Sequence, residues 1–309
     1  MPGENMFSER LRTIIDYSRI REQEPMKVHT TFRIGGPADY FVDVKDTEEL
    51  MALLSLCRED GIPWHILGNG SNLLVADRGV KGVVIRLSGE FEGYEICREG
   101  PEGRLSAGAG IRLARLAKAA AGAGLSGLAF AGGIPGTLGG ALVMNAGAYG
   151  GEMKDYVRSV TVADPDGSII ELDARDMEFG YRSSILQSKG YIALRAQFAL
   201  SPGEPEELLA QIEDLNRKRR EKQPLEYPSA GSTFKRPAGY FAGKLIMESG
   251  LKGYRVGGAA VSEKHCGFII NVEDASAEDV HRLIEKVKEI VHEKTGVMLE
   301  PEVKYWGEF

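Results

Sequence analysis

Apolar residues recur along the chain at two spacings, near 3.6 and 2, and the changes between them mark the elements. In residues 6–17, Phe7, Leu11, Ile14 and Ile15 fall on one helical face, which predicts a lead-in helix. Residues 30–33 and 40–44 read as strands around the turn Gly35-Gly36-Pro37. Asp46 with Glu49 forms a capping box for a helix that ends before Gly61. Apolar blocks at 62–67, 73–75 and 83–87 predict further strands, so this part reads as a small layer of strands and a helix.

Farther on, an Ala-rich helix is predicted over 111–123, strands over 157–163, 168–172 and 191–199, and a helix from Pro205 to about Lys222 that Pro224 ends. Asp166-Gly167 between two strand patterns is a hairpin signal. The clearest helix covers 276–294, where Val280, Leu283, Ile284, Val287, Ile290 and Val291 keep helical spacing. Ser276 and Asp279 cap it and Gly296 stops it. The pattern predicts an α+β fold in three parts, 1–88, 89–222 and 223–309.

Composition narrows the class. With 309 residues, 43% hydrophobic, and 38 Lys+Arg against 45 Asp+Glu for a net charge of −7, the chain is globular and long enough for two or three cores. Its three cysteines, Cys57, Cys97 and Cys266, form no C-x-x-C pair, so reduced, mostly buried thiols are expected. Residues 1–12 carry Glu4, Glu9, Arg10 and Arg12 and lack the apolar core of a secretory signal. The longest uncharged stretch, 119–151, has glycine at 11 of its 33 positions and contains Pro135 and Asn145, a poor fit to a membrane span. A cytoplasmic protein with no membrane partner is expected.

Glycine changes the picture most. It fills 39 positions, and 15 of these lie between Gly100 and Gly151; the overall share is about twice the usual 7%. Gly68-Asn69-Gly70-Ser71-Asn72-Leu73 follows a predicted strand and is a candidate anion loop, because glycine lets successive N–H groups approach phosphate oxygens. The dinucleotide fingerprint fails there, since Leu73 takes its last position and a strand follows; an ordinary glycine turn is the alternative. The segment Gly132-Gly133-Ile134-Pro135-Gly136-Thr137-Leu138-Gly139-Gly140, continuing to Asn145 and Tyr149, could lie against a pyrophosphate-bearing ligand or could be a tightly packed loop. No Walker motif and no G-x-S-x-G elbow occur. The five histidines lack metal-ligand spacing, so no metal is expected. The basic run from Arg217 to Arg220, in an acidic protein without interleaved aromatics, reads as a solvated helix face and not a nucleic-acid site. Polar side chains in glycine-rich or strand-end settings occur at Tyr181-Arg182-Ser183-Ser184, Ala230-Gly231-Ser232-Thr233-Phe234-Lys235 and Glu300-Pro301-Glu302-Val303. Each has a bland reading as an ion pair, a turn hydroxyl or an exposed acid.

Taken in order, these motifs and Thr30-Thr31-Phe32-Arg33-Ile34-Gly35-Gly36-Pro37-Ala38 resemble the UDP-N-acetylenolpyruvoylglucosamine reductase family over nearly the whole chain. The resemblance implies a two-part FAD-binding fold of the vanillyl-alcohol-oxidase type followed by a smaller α+β substrate domain. It implies non-covalent FAD, with contacts at Arg33, Gly68, Asn69, Gly70, Ser71, Asn72, Leu73, Gly132, Gly133, Pro135, Gly136, Thr137, Gly140 and Asn145. NADPH would be the hydride donor and UDP-N-acetylglucosamine enolpyruvate the substrate, in peptidoglycan precursor synthesis. Catalysis would rest on Arg182, Ser232 and Glu302, and substrate binding on Tyr181, with Lys235, Arg236, Lys244 and Arg255 as candidate partners for diphosphate and carboxylate. The chain is similar to the family's shorter subclass, so the Tyr loop of the longer one is not carried over. Ser232 would give the proton, with Thr233 as its rival hydroxyl. Two alternatives stand beside this reading: an FAD-dependent oxidase of the same fold, and a non-catalytic UDP-sugar-binding module. Oligomeric state is not legible.

Overall fold

The computed structural model describes residues 2–97 and 103–309 and divides into two compact units. One takes Met1–Arg21, Tyr40–Asn69 and Gly82–Lys218; the other takes Glu22–Asp39, Gly70–Lys81 and Arg219–Phe309. The breaks expected near 88 and 222 follow the chain, whereas these units cut across it. The reason lies in two early excursions, which carry Phe32, Ile34 and Leu74 into the apolar core of the C-terminal portion. There Leu73–Val75 pairs in parallel with Lys304–Trp306.

A four-stranded sheet runs in the order Ile20–Pro25, Pro37–Val44, Val80–Leu87, Trp64–Leu67. The helix Thr47–Glu59 buries Leu50, Leu53, Leu54, Leu56 and Cys57. Within Gly82–Lys218 of the first unit an antiparallel sheet orders Ile169–Asp173, Val157–Ala163, Ile192–Pro202, Gly103–Gly108 and Tyr94–Cys97. Its hairpin turns at Gly167, whose φ of +92° suits glycine. The second unit sets an antiparallel sheet, in the order Ser229–Ser232, Phe268–Asn271, Ala259–Val261, Arg255–Val256, with the helix Ala277–Thr295. That helix has the expected Ser276–Asp279 capping box and a left-handed Gly296 stop, and its N-terminal amides at Ala277 and Glu278 also donate to Asp77.

Several sequence expectations are corrected. Residues 30–33 form a turn, not a strand: Thr30 Oγ1 donates to Ile34 O at 2.8 Å, and Arg33 N bonds Thr30 O with Arg33 at φ +55°. Strands Ile20–Pro25 and Tyr94–Cys97 lie at sheet edges and expose much of their length, so they lack the apolar signal of a buried strand. The Ala-rich helix covers Leu113–Gly122, inside its expected span. Cys57 and Cys266 are buried as expected, and Cys97 is exposed.

The Asp46 capping box closes on one side only. Asp46 accepts from Glu49 N at 2.9 Å, but Glu49 turns to Lys45 N at 3.1 Å and takes the two arms of Arg19 at 2.6 and 2.7 Å. Arg19 is the main cause that holds the Glu49 carboxyl down at about 2. A depressed carboxyl stabilises the fold above its unfolded value of about 4.3, and that stabilisation, here of order 2–3 kcal/mol, is lost as pH falls toward 2. Arg19→Met should therefore lower the urea midpoint at pH 7, and the gap to wild type should close between about pH 5 and pH 2. A gap independent of pH would mean that Arg19 acts through packing alone.

Candidate functional site

The first glycine loop links Trp64–Leu67 to Leu73–Val75, as expected. A Cβ on Gly68 would stand 2.6 Å from Thr137 Oγ1, so the missing side chain is what lets the two glycine segments meet. Gly70, at φ +58°, passes so close to His29 that a Cβ would lie 2.2 Å from its carbonyl oxygen. The second segment contains a 3-10 turn, Ala129–Gly133, and a short helix, Leu138–Val143, whose N-cap is Thr137. Part of its glycine content serves packing: a Cβ on Gly132 would meet Ile212 at 2.7 Å, and one on Gly139 would meet Ala109 at 3.2 Å. Gly140, in contrast, faces only Thr137 Oγ1 at 3.7 Å. Among the described residues, no turn or loop carbonyl takes the N–H of Asn69, Gly70, Ser71, Gly136 or Thr137. Open amide donors within either glycine-rich segment suit phosphate oxygens, so each segment taken by itself fits the phosphate part of FAD.

Arg182 belongs to the first unit and sits in a tight turn closed by Gly180 N to Ser183 O at 3.1 Å, with Arg182 at φ +56°. Its guanidinium lies 5.1 Å from the centre of the exposed Tyr181 ring. Gln187 Nε2 donates to Arg182 O at 3.2 Å and to Val143 O at 2.8 Å. Asn145 is buried, and its amide is committed to protein partners, donating to Gly180 O and Glu152 and accepting from Lys154 N.

Ser232 and Glu302 belong to the second unit. The strand Ser229–Ser232 shifts register against Phe268–Asn271, with Gly231 at φ +76°. Beyond this bulge successive side chains point to opposite faces. Ser232 is exposed, whereas Thr233 is fully buried and its Oγ1 accepts from Ile269 N at 3.0 Å. Glu302 N donates to Thr233 O at 2.8 Å, Phe234 bridges to Pro301, and Asn72 Nδ2 donates to Glu302 O at 3.2 Å. The segment bearing Ser232, the half-buried Glu302 and the end of the glycine loop are thus tied together by hydrogen bonds to the main chain. Thr31 ties the loop to the same strand, through Thr31 N to Gly70 O at 3.1 Å and Thr31 Oγ1 to Ser229 O at 2.6 Å. Sequence reading missed that role, as it missed Asn271, whose buried amide donates to Phe32 O and accepts from Ala275 N. For Asn271 the available signal was a short polar side chain inside the apolar stretch 268–272; Thr31, between Thr30 and Phe32, offered no such contrast.

The candidate substrate bases have partners of their own. Lys235 pairs with Glu300, Lys244 with Glu248 at 3.6 Å and Arg255 with Glu273 at 2.9 Å, while the Arg236 guanidinium lies 4.0 Å over the Phe241 ring. Among the described residues there is no cluster of three or more metal-ligating side chains, and no helix is long and apolar enough to cross a membrane.

Comparison with known proteins gives this geometry its class. Residues 38–173 match the model of an FAD binding domain, so the glycine segments belong to an FAD-binding protein. Residues 223–306 match the UDP-N-acetylenolpyruvoylglucosamine reductase C-terminal domain. Proteins named UDP-N-acetylenolpyruvoylglucosamine reductase are 52% identical in Lachnoclostridium phytofermentans, over 98% of each chain, and 53% identical in Clostridioides difficile, over 96% of this chain and 97% of the other. The crystal structure of the Thermus caldophilus reductase is 42% identical with a TM-score of 0.80, covering 93% of this chain and all of that one. The chain belongs to the UDP-N-acetylenolpyruvoylglucosamine reductase family.

Proposed function

We propose that this chain reduces the enolpyruvyl ether of UDP-N-acetylglucosamine enolpyruvate to UDP-N-acetylmuramate, with FAD bound non-covalently and NADPH as electron source, in cytoplasmic peptidoglycan precursor synthesis. Family membership along the whole chain is the observation that carries this reading. Residues 1–88 and 89–222 would form the two halves of the flavin-binding portion, and 223–309 the substrate domain. FAD, when bound, supplies the hydride-transfer chemistry. Its pyrophosphate would be held by the amides of Asn69, Gly70, Ser71, Gly136 and Thr137, with Gly68, Asn72, Leu73, Gly132, Gly133, Pro135, Gly140 and Arg33 lining the remainder.

On the substrate, hydride arriving at the terminal vinyl carbon leaves negative charge beside the carboxylate, and a fixed cation stabilises that charge where it develops. Arg182 would supply the cation. Glu302 would hold the carboxylate end through a hydrogen bond. Ser232 would give its Oγ proton to the carbon that carries the charge, which completes the lactyl ether; the oxygen then regains a proton from solvent. Tyr181 would lie beside the reacting group. Lys235, Arg236, Lys244 and Arg255 would exchange their present partners for the diphosphate, an exchange that costs little because exposed ion pairs contribute about 0–1 kcal/mol.

Neither glycine segment contains His or Cys. The purified protein should therefore be yellow and release intact FAD into the supernatant on acid precipitation. After anaerobic reduction by NADPH, the flavin absorbance should return rapidly on addition of the enolpyruvyl sugar. Return only with oxygen would make the protein an oxidase. Colourless protein that takes up no added FAD would leave a sugar-binding module.

A further inference from the structure

Three bonds run from one buried side chain into the turn that carries Arg182. Asn145, 1% exposed, donates from Nδ2 to Gly180 O at 3.0 Å and to Glu152 Oε2 at 2.9 Å, and its Oδ1 accepts from Lys154 N at 3.0 Å. Both amide hydrogens and the amide oxygen are used, so the side chain acts as a three-way tie. Gly180 opens the two-residue turn Tyr181-Arg182, which closes on Ser183. Glu152 ends a short strand and takes part in a capping box with Asp155. Its carboxyl is held below the ordinary range, first by Lys154, 2.8 Å away, and also by Asn145 and the charge of Arg182. One amide thus joins the backbone under Arg182 to a carboxylate that also feels its guanidinium. Asn145 itself is at φ +40° and Arg182 at φ +56°, conformations that L side chains with a free choice leave. Strained residues of this kind persist where surrounding bonds over-determine them.

We propose that Asn145 is a positioning residue for Arg182: its amide locks the turn Gly180–Ser183 against Glu152 and so fixes the guanidinium for the substrate half of the reaction. The proposal rests on the reading of Arg182 given above. It places Asn145 behind the reacting groups and not against the flavin. The expected cost of losing the tie is that of a loosened reacting group, for which a displacement of about 1 Å can slow a step of order 10²-fold.

The backbone at Asn145 supplies a clean comparison. Asn145→Gly keeps the left-handed conformation without strain while deleting the amide, whereas Asn145→Asp keeps size and shape but loses both donors and sets a second carboxylate against Glu152. In rapid mixing, Asn145→Gly should reoxidise reduced flavin with the enolpyruvyl sugar about 10–100-fold more slowly than wild type, with a much smaller change in reduction by NADPH. Affinity of the oxidised holoenzyme for the enolpyruvyl sugar, read by calorimetry, should fall as well. Asn145→Asp should be slow at neutral pH and recover as pH falls, because its carboxyl, crowded by Glu152, regains a donor on protonation. Neither wild type nor Asn145→Gly should show that recovery. If Asn145→Gly reoxidises at the wild-type rate, only the backbone conformation matters and the proposal fails. Loss of FAD from both variants, with normal rates on saturation, would make Asn145 a cofactor residue and overturn it too. Arg182→Lys run alongside separates the two levels. If Arg182→Lys is slow and Asn145→Gly is not, this inference alone falls; if neither is slow, the reading of Arg182 falls first.

Discussion

Ser232→Ala should slow reduction of the enolpyruvyl sugar by roughly 10²–10⁴-fold, the usual range for a positioned acid, while leaving reduction of the flavin by NADPH close to wild type. The two halves differ because NADPH oxidation creates no carbanion, whereas hydride addition to the enol ether does. The structure sharpens the choice of hydroxyl. Thr233 lies next in sequence, but its side chain is fully buried and its Oγ1 is occupied by Ile269 N at 3.0 Å, whereas Ser232 is exposed beyond the bulge at Gly231. Thr233→Val would leave the buried Ile269 amide without its acceptor, which costs about 1–3 kcal/mol. The matched variant should therefore melt earlier yet retain most of the substrate half-reaction. Two results count against Ser232: near wild-type turnover in Ser232→Ala, or a large rate defect confined to folded Thr233→Val.

What could be read from the sequence, and what could not, divides by the range of the interactions. Local signals were sufficient for Pro205–Lys222 and Ala277–Thr295, where periodicity, caps and stops all lie within the element itself. They failed at Thr30 to Arg33, whose β-branched and aromatic residues read as a strand. Thr31 takes its partners, the Gly70 carbonyl and Ser229, from distant parts of the sequence, and these bonds join the local ones of Thr30 and Arg33 in holding a turn. The motif residues of the site were legible as residues. Their connections were not: the pairing of Glu302 with Thr233 and Asn72 closes over long stretches of chain and has no periodic signature. Glycine density was ambiguous for a physical reason. A missing Cβ serves equally for a close approach of backbone to ligand and for packing against Ile212 or Ala109, and both uses occur within one segment.

Arg182→Lys should slow reoxidation of the reduced flavin by substrate about 10²–10³-fold, the range seen when a fixed donor to a developing negative charge is lost. Lysine keeps the charge but offers a single mobile ammonium in place of a planar fork. The backbone adds no confounding strain, since both residues would share the same left-handed position, at φ +56°. Glu302→Gln isolates the acid in the same way. The ties that place residue 302 run through its own N–H to Thr233 O and its own carbonyl from Asn72, so an amide side chain leaves them intact. The isosteric change should slow the same half-reaction and leave the thermal midpoint within a few degrees of wild type. Loss of FAD with normal chemistry on saturation, in either variant, would move that residue from the substrate to the cofactor.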